Sequence, residues 1–381
     1  MPPGQDSRAP LRLARVLLIV GMTHPNVPGD TAPQASHEIW LLLDSRGLGG
    51  IESHVVALAE ALLRSGHGVR VAFLSDHGRH PLHGRLDELG IPRRNLGGGY
   101  GGLRAALRES PGLVHTHGYK AGVLGRLACR LAGIPVVSTF HSGDPGRGRV
   151  RLYDALDRWS APLAPAIAVS EEIAGRVLGS AERIDNFVPL PAQAADPHAT
   201  RVAFVGRLAA EKGPHHFCTV AAAVGDGQFD LFGDGPLRAE LEAAYGNTVT
   251  FHGLVADMPH RWPGLGLLCM TSRYEGLPMA ALEALAHGIP VAAFAVGGLP
   301  ELIEHGRNGW LVPAGDTAAM TATVARWRQL PESVRRDMAA AARATVASRF
   351  TPEAQLERLL AVYARAGFPA RAGHAAHAEV A

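Results

Sequence analysis

From Glu38 onward, short apolar runs alternate with segments whose apolar residues recur every three or four positions, joined by short connections. That alternation predicts parallel strands with helices packed on both faces. In the first half, residues 39–44, 69–74, 113–117, 136–141 and 166–169 read as strands. Helical spacing occupies residues 51–64, 82–89, 103–109, 121–131, 150–163 and 171–178. A stretch beginning at Arg183 holds Asn186, Pro189 and Pro191, has little periodicity, and reads as a linker. The alternation restarts at Arg201, with strands expected at residues 202–205, 230–232, 248–251, 265–270, 291–294 and 310–312. Three further helical segments, 317–329, 331–348 and 352–366, close the ordered chain.

The expected fold class is therefore α/β, with two doubly wound, Rossmann-like domains facing a central cleft. The divisions are an N-terminal extension (1–37, expected to be poorly ordered), a first domain (38–182), a linker (183–200) and a second domain (201–350). A C-terminal helix (351–367) is expected to pack back on the first domain, and a tail (368–381) follows. At 381 residues the chain is too long for one ordinary core and suits two. Residues 11–22 place Arg12 and Arg15 before a short apolar run, a weak likeness to a signal peptide without a convincing cleavage site. No segment reaches the ~20 apolar residues needed to span a bilayer. A formal charge of +2 gives no case for nucleic acid. Three separated cysteines, Cys129, Cys218 and Cys269, argue against a disulfide framework and suit a reducing cytoplasm. Lys120 and Lys212 are the only lysines, which singles them out among many arginines.

Candidate chemistry lies where strands end. Residues 272–290 join a buried strand to a helix: Gly276 breaks the chain, Pro278 is expected in the helix's first turn, and Leu282 with Leu285 marks its inner face. Glu275 then lies just before the helix and Glu283 inside it, two carboxylates about a helix N-terminus. Taken alone, this stretch is equally an ordinary turn. Gly47 to Glu52 form a glycine turn whose Gly49 and Gly50 allow close approach of a ligand to backbone, with Glu52 opening the helix. It is not G-x-G-x-x-G, so a nicotinamide reading is weak. His115 and His117 share one face of a strand. No acidic or cysteine partner completes a metal set around them, so no metal is expected. His117 instead faces the cleft, Lys120 suits an anionic acceptor group, and His141 ends the next strand at the same rim. Arg207 and Lys212, set close together after a strand, suit a pyrophosphate. Gly206, the Gly233–Gly235 turn and the Gly297–Gly298 turn lie at matching strand ends.

In this order and at these spacings, the motifs resemble those of the family 4 glycosyltransferases, retaining enzymes of the GT-B fold. The resemblance covers nearly the whole stretch from Ile39 to Ala366. It rests on Gly-Gly-Ile-Glu at 49–52, Val-His-Thr-His at 114–117, Thr-Phe-His at 139–141 and Asp-Asn-Phe-Val-Pro at 185–189. It rests further on Val-Gly-Arg-Leu and Glu-Lys-Gly within 205–213, Gly-Asp-Gly-Pro at 233–236, the E-x7-E pair Glu275 and Glu283, and Gly297-Gly298 with Glu301.

The resemblance implies that Arg207 and Lys212 hold the donor diphosphate and Glu283 the ribose hydroxyls. It implies that Glu275 and the backbone from Gly276 through Leu277, Pro278 and Met279 hold the transferred sugar, with His117 near its reacting face. Gly49, Gly50, Gly206, Gly233 and Gly235 complete the implied donor surface; Glu52, Lys120 and His141 are acceptor-side candidates. It implies no metal and no cofactor beyond a nucleoside-diphosphate sugar, with UDP-sugar favoured over GDP-sugar. The expected activity moves a hexose to a saccharide or lipid-linked acceptor, in polysaccharide, lipopolysaccharide or glycolipid synthesis. The expected location is cytoplasmic, with peripheral contact at the inner face of the membrane left open and oligomeric state unassigned. Physically, cations at the diphosphate act most strongly as charge develops on the leaving oxygen. A two-carboxylate glycosidase route would leave the phosphate-binding turns idle. A catalytically silent sugar-nucleotide-binding subunit and a sugar-nucleotide epimerase of the same fold are the alternatives. Arg147, Arg149, Arg151 and Arg158, interleaved with Asp154 and Asp157, read as a solvated face.

Overall fold

The computed structural model of the chain describes residues 37–141, 148–225 and 228–369. The expectations for residues 1–36, for Arg147 and for the tail from residue 370 fall outside these. The first half begins β1 (Glu38–Leu43), α1 (Gly50–Arg64), β2 (Gly68–Phe73), α2 (Leu82–Glu88), β3 (Arg93–Asn95) and α3 (Gly99–Ala106). It continues β4 (Leu113–His117), α4 (Tyr119–Ala132), β5 (Val136–Phe140), α5 (Arg149–Trp159), β6 (Ala166–Ala168), α6 (Glu171–Ala174) and β7 (Ala181–Arg183). The second half begins β8 (Val202–Val205), α7 (Pro214–Val224), β9 (Phe229–Phe232), α8 (Arg238–Tyr245) and β10 (Thr250–Gly253). It continues β11 (Leu267–Met270), α9 (Met279–Ala286), β12 (Val291–Phe294), α10 (Leu299–Leu302) and β13 (Gly309–Val312). Helices α11 (Thr317–Arg328), α12 (Glu332–Arg349) and α13 (Pro352–Arg365) follow.

The central strands are near-continuous apolar runs because both faces of each sheet are covered by helices. Seven strands in the order β3-β2-β1-β4-β5-β6-β7 form one parallel sheet, and six in the order β10-β9-β8-β11-β12-β13 form the other. Each order reverses once. The chain leaves β1 toward β2 and later returns to β4 on the other side; β8, β9 and β11 repeat the device. At such a reversal the loops leaving neighbouring strands diverge to opposite faces and open a crevice at the carboxyl ends. His117 ends β4, the Gly47–Gly50 turn follows β1, Lys212 follows β8 and Glu275 follows β11, so each lies at a reversal.

Two strands carry no sequence signal. β3 (Arg-Arg-Asn) and β7 (Ala-Glu-Arg) are three-residue edge strands held by main-chain pairing, which polar side chains do not report. The edge strand β10 lies two residues later than expected, with a register shift between Phe251 and Gly253. The helix expected over 171–178 stops at Ala174, with Gly175 at its cap.

The linker is anchored by charge. Asp185 is buried and accepts from Arg183 Nε at 3.1 Å and from Arg349 Nε at 2.7 Å, and Glu301 pairs with both arginines. The Asn186 amide donates to the Leu277 carbonyl at 2.6 Å, and one apolar cluster runs from β1 through Phe187 into α9. Helix α13 returns to pack on α1, and the Tyr363 hydroxyl shares a 2.7 Å hydrogen bond with His115 Nδ1 on β4. Among the described residues, no helix is long and apolar enough to cross a membrane. Asp185→Ala should cost about 2 kcal/mol, below the range for fully enclosed ion pairs because both arginines keep some solvent. An unchanged denaturant midpoint would contradict the anchoring role.

Candidate active site

The loop after β8 is zipped to the loop after β9. Gly206 N–H donates to the Phe232 carbonyl at 3.0 Å and Leu208 N–H to the Asp234 carbonyl at 2.9 Å. A side chain at Gly233 would strike the Gly206 carbonyl, and one at Gly235 the Leu208 carbonyl. These glycines therefore have a packing reason to be glycine, before any ligand is considered. The chain then makes a tight turn over Ala210–Lys212 that ends at Gly213, where φ is 60°. Gly213 lies directly against the Thr271 carbonyl, leaving no space for a Cβ. Thr271 Oγ1 donates to the Gly213 carbonyl and Arg273 N–H to the Glu211 carbonyl, each at 2.8 Å. These contacts pin the β8 loop to the end of β11.

The consequence is a close ion pair. Lys212 Nζ lies 2.8 Å from both Oε1 and Oε2 of Glu275, whose side chain is 4% exposed. An ammonium has three N–H donors, so one remains to meet an incoming oxygen. Arg207 stands at 67% side-chain exposure, with Glu211 3.9 Å away.

The turn after Glu275 is equally crowded. A Cβ at Gly276 would strike the His141 carbonyl of the first sheet, and one at Gly297 the Glu275 carbonyl. Gly298 N–H donates to the Gly276 carbonyl at 2.7 Å. Pro278 is the extended cap (φ −74°, ψ 127°) before α9, one position earlier than expected, because the helix begins at Met279. Leu277, Pro278 and Met279 are buried, and the Leu277 carbonyl is occupied by Asn186. Glu283 lies in the second turn of α9, where Trp262 Nε1 donates to its carboxylate at 3.3 Å. Burial pushes the Glu283 carboxyl up to about 7, against the weaker opposing effect of Trp262.

On the facing sheet, the histidines form a cluster that the strand pattern shows only in part. His117 Nδ1 and His141 Nε2 are 3.0 Å apart, and the His54 ring of α1 lies 5.5 Å from His117 and 4.8 Å from His141 between centroids. One nitrogen from each of the three lies within 4.8 Å of the others. The group that gathers with His117 is a pair of further histidines, His54 and His141, and not the strand neighbour His115; no carboxylate or thiol joins them among the described residues. Burial holds the His54 imidazole down to about 4, and holds His117 and His141 well below the usual range, with the neighbouring histidines adding to the effect. His117 Nε2 and His54 Nδ1 are buried without a hydrogen-bond partner among the described residues. Two of these imidazoles, His54 and His117, thus present unused polar atoms suited to hydroxyl groups. His115 is different: Tyr363 and Thr139, each at 2.7 Å, satisfy both its nitrogens.

Among the acceptor-side candidates, Lys120 is engaged by Asp44 and Ser75, each at 2.9 Å. Burial works against the Asp44 charge, yet the hydrogen bonds from Lys120 and Ser75 hold its carboxyl below the usual value. Lys120 is therefore already neutralised. Glu52 is half-buried in the α1 entry turn beside Gly49, and burial raises its carboxyl against hydrogen bonds from Ser45 and the turn backbone. Gly50 faces the Met279 side chain of the other half.

The expected solvated face on α5 is overturned. Asp154 and Asp157 are buried, because Asp157 pairs with the fully buried Arg126 at 2.6 Å and Asp154 with Arg158 at 2.7 Å. Both aspartates, with Tyr119, Thr139 and His141, line a cavity of about 60 Å³ beside the histidine cluster. Sequence reasoning also missed His54 and Trp262. A signal for His54 existed: it shares the inner stripe of α1 with Val55, Leu58 and Leu62, where a polar ring needs a reason.

The buried imidazoles predict a pH dependence. As pH falls below 6.5 the unfolded chain takes up the His54 proton, whereas the native protein resists until about 4, so stability is lost across that window. At pH 5, His54→Leu should recover about 2 kcal/mol relative to wild type, compared with the difference at pH 7.5. Parallel denaturation curves at both pH values, with no such recovery, would contradict a buried neutral His54.

Comparison with known proteins agrees with this geometry. Residues 48–184 match a family model described as Glycosyltransferase Family 4, and residues 199–329 one described as Glycosyl transferases group 1. The α-D-kanosaminyltransferase of Streptomyces kanamyceticus is 29% identical over 305 residues, 68% of this chain and 79% of that protein. The 2-deoxystreptamine glucosyltransferase of the same organism is 30% identical over 260 residues, 56% of this chain and 66% of that one. The crystal structure of Anabaena HepE in complex with UDP-glucose superposes with a TM-score of 0.73 at 22% identity, covering 86% of this chain and 99% of that chain. Two parallel-sheet halves of the GT-B type, matched by both family models in order, identify the chain as a glycosyltransferase of family 4, the group 1 glycosyltransferases.

Proposed function

We propose that this glycosyltransferase moves a hexose from a nucleoside diphosphate, UDP in preference to GDP, to a hydroxyl of a saccharide or lipid-linked acceptor, with retention at the anomeric carbon. The observation that carries the reading is the Lys212–Glu275 pair, fixed at the strand-order reversal of the second sheet. Its ammonium keeps one N–H for a phosphate oxygen, and the exposed Arg207 can swing to a second. As the bond from the anomeric carbon to the diphosphate oxygen breaks, its electron pair passes to that oxygen. Both cations stabilise the charge most at that moment. The acceptor oxygen bonds to the anomeric carbon on the same face, and its proton passes to the departing phosphate oxygen.

Glu283, in a crevice beside Trp262, accepts hydrogen bonds from the ribose hydroxyls, and the neutral His117 and His141 meet hydroxyls of the sugar and acceptor. Glu275 holds the sugar through its remaining lone pairs and has no freedom to act as a glycosidase nucleophile while Lys212 spans both its oxygens. Support for a UDP-sugar comes from the HepE structure, solved with UDP-glucose, and support for polyhydroxylated acceptors from the relatives named for 2-deoxystreptamine. With Lys120 already paired to Asp44, an anionic acceptor group is less favoured than the motif alone suggests.

Thermal-shift titration against UDP-, GDP- and ADP-sugars tests the donor assignment. UDP-sugars should raise the melting temperature, a ligand at about 100 times its Kd adding about 2.7 kcal/mol. No shift with any sugar nucleotide would contradict the reading. Glu283→Ala should weaken UDP-sugar binding about ten-fold through loss of charge-assisted hydrogen bonds, and an unchanged titration would remove Glu283 from the ribose. Product analysis with donor alone separates transfer from epimerisation.

A further inference from the structure

Helix α5 is packed inside out. Its buried face carries the two aspartates: Asp154 pairs with Arg158, and Asp157 with Arg126, which donates to Asp157 Oδ1 at 2.6 Å and to Ser138 and Ser160 at 2.9 and 2.8 Å. Its outer face carries Leu152 (61% exposed), Tyr153, Leu156 and Trp159 (72% exposed). The neighbouring α4 adds Leu127 and Leu131, the latter 68% exposed. Apolar side chains left in water on two packed helices mark a surface that is covered by something else.

Among the described residues, the exposed charges on α4 and α5 are all positive. α4 contains no acidic residue, and both acids of α5 point inward. Arg130 and Arg151 are exposed and have no acidic partner among the described residues, while Arg158 neutralises Asp154. A second copy of the chain seated on this face would set arginine against arginine with no exposed acid on α4 or α5 to compensate, since a two-fold contact apposes the same patch. An anionic lipid surface meets the same features favourably. Leucines enter the acyl boundary, Trp159 and Tyr153 lie at headgroup level, and the arginine stems reach outward to phosphate.

We propose that the outer face of α5, with the adjoining part of α4, docks this enzyme on a membrane surface carrying anionic headgroups. The same helix walls the small cavity beside His141, so docking would present the acceptor side of the cleft to molecules held in that surface. The binding surface is independent of the donor assignment, because vesicle binding is read without turnover.

The test is flotation of the intact chain with vesicles that are roughly one-third phosphatidylglycerol in phosphatidylcholine, against phosphatidylcholine alone, at low and high salt. Wild type should bind the anionic vesicles about ten-fold more strongly, and lose most of that preference at high salt. Leu152→Glu with Trp159→Glu should abolish flotation while leaving the melting temperature and the UDP-induced shift unchanged. Arg130→Gln with Arg151→Gln should remove the preference for anionic lipid. Failure of wild type to float would overturn the proposal, as would flotation unaffected by the glutamates. A dimer seen by sedimentation equilibrium and lost in the glutamate variant would also overturn it, assigning the face to a second copy.

Discussion

A side chain has no room at position 213, because the turn after β8 rests directly on the Thr271 carbonyl at the end of β11. This contact is available because strand order reverses between those two strands, leaving their loops to meet over a crevice. Two backbone-directed hydrogen bonds then fix the turn, and Lys212 has little choice but to meet Glu275. The pair in turn sets the position of Gly276, whose close approach to His141 brings the second sheet against the first. Much of the site's geometry follows from that packing of backbone on backbone.

The two sides of the cleft use different electrostatics. The second sheet offers fixed charge, a lysine and an arginine with carboxylates placed beside or behind them, which suits a ligand carrying phosphate. The first half offers neutral imidazoles kept uncharged by burial, two of them with a nitrogen left without a partner among the described residues. A donor rich in charge and an acceptor rich in hydroxyls would be sorted to opposite sides by this difference alone. Linker residues Asp185 and Asn186 hold the halves in register through Arg349 and the Leu277 carbonyl, so the spacing across the cleft is built into the linker.

The strand ends were readable in the sequence because a buried parallel strand is a bare apolar run and its end is marked by glycine. Glu275, Lys212 and His117 were found that way. The resemblance places the glycines at 233 and 235 on the donor surface, whereas their first role is to let two loops touch; close approach of backbone to backbone leaves the same residue type as approach to phosphate. His54 carries no local signal of its role because its partners, His117 and His141, lie far along the chain at strand ends, and a helix stripe does not say what faces it. The α5 segment misled for a physical reason. Alternating arginine and aspartate reads as solvated, but the Arg126 guanidinium on α4 supplies an interior partner that no local pattern reveals.

The claim on which everything else leans is that Lys212 serves the departing diphosphate and does not merely neutralise Glu275. The most direct measurement is single-turnover transfer from a UDP-sugar by Lys212→Ala, with folding checked by its denaturation curve. A fall in rate of about a hundred-fold or more in a protein that still melts cooperatively is the expected result, the range seen when one preorganised donor to a leaving oxygen is removed. Transfer at a near-normal rate by the folded variant would contradict it.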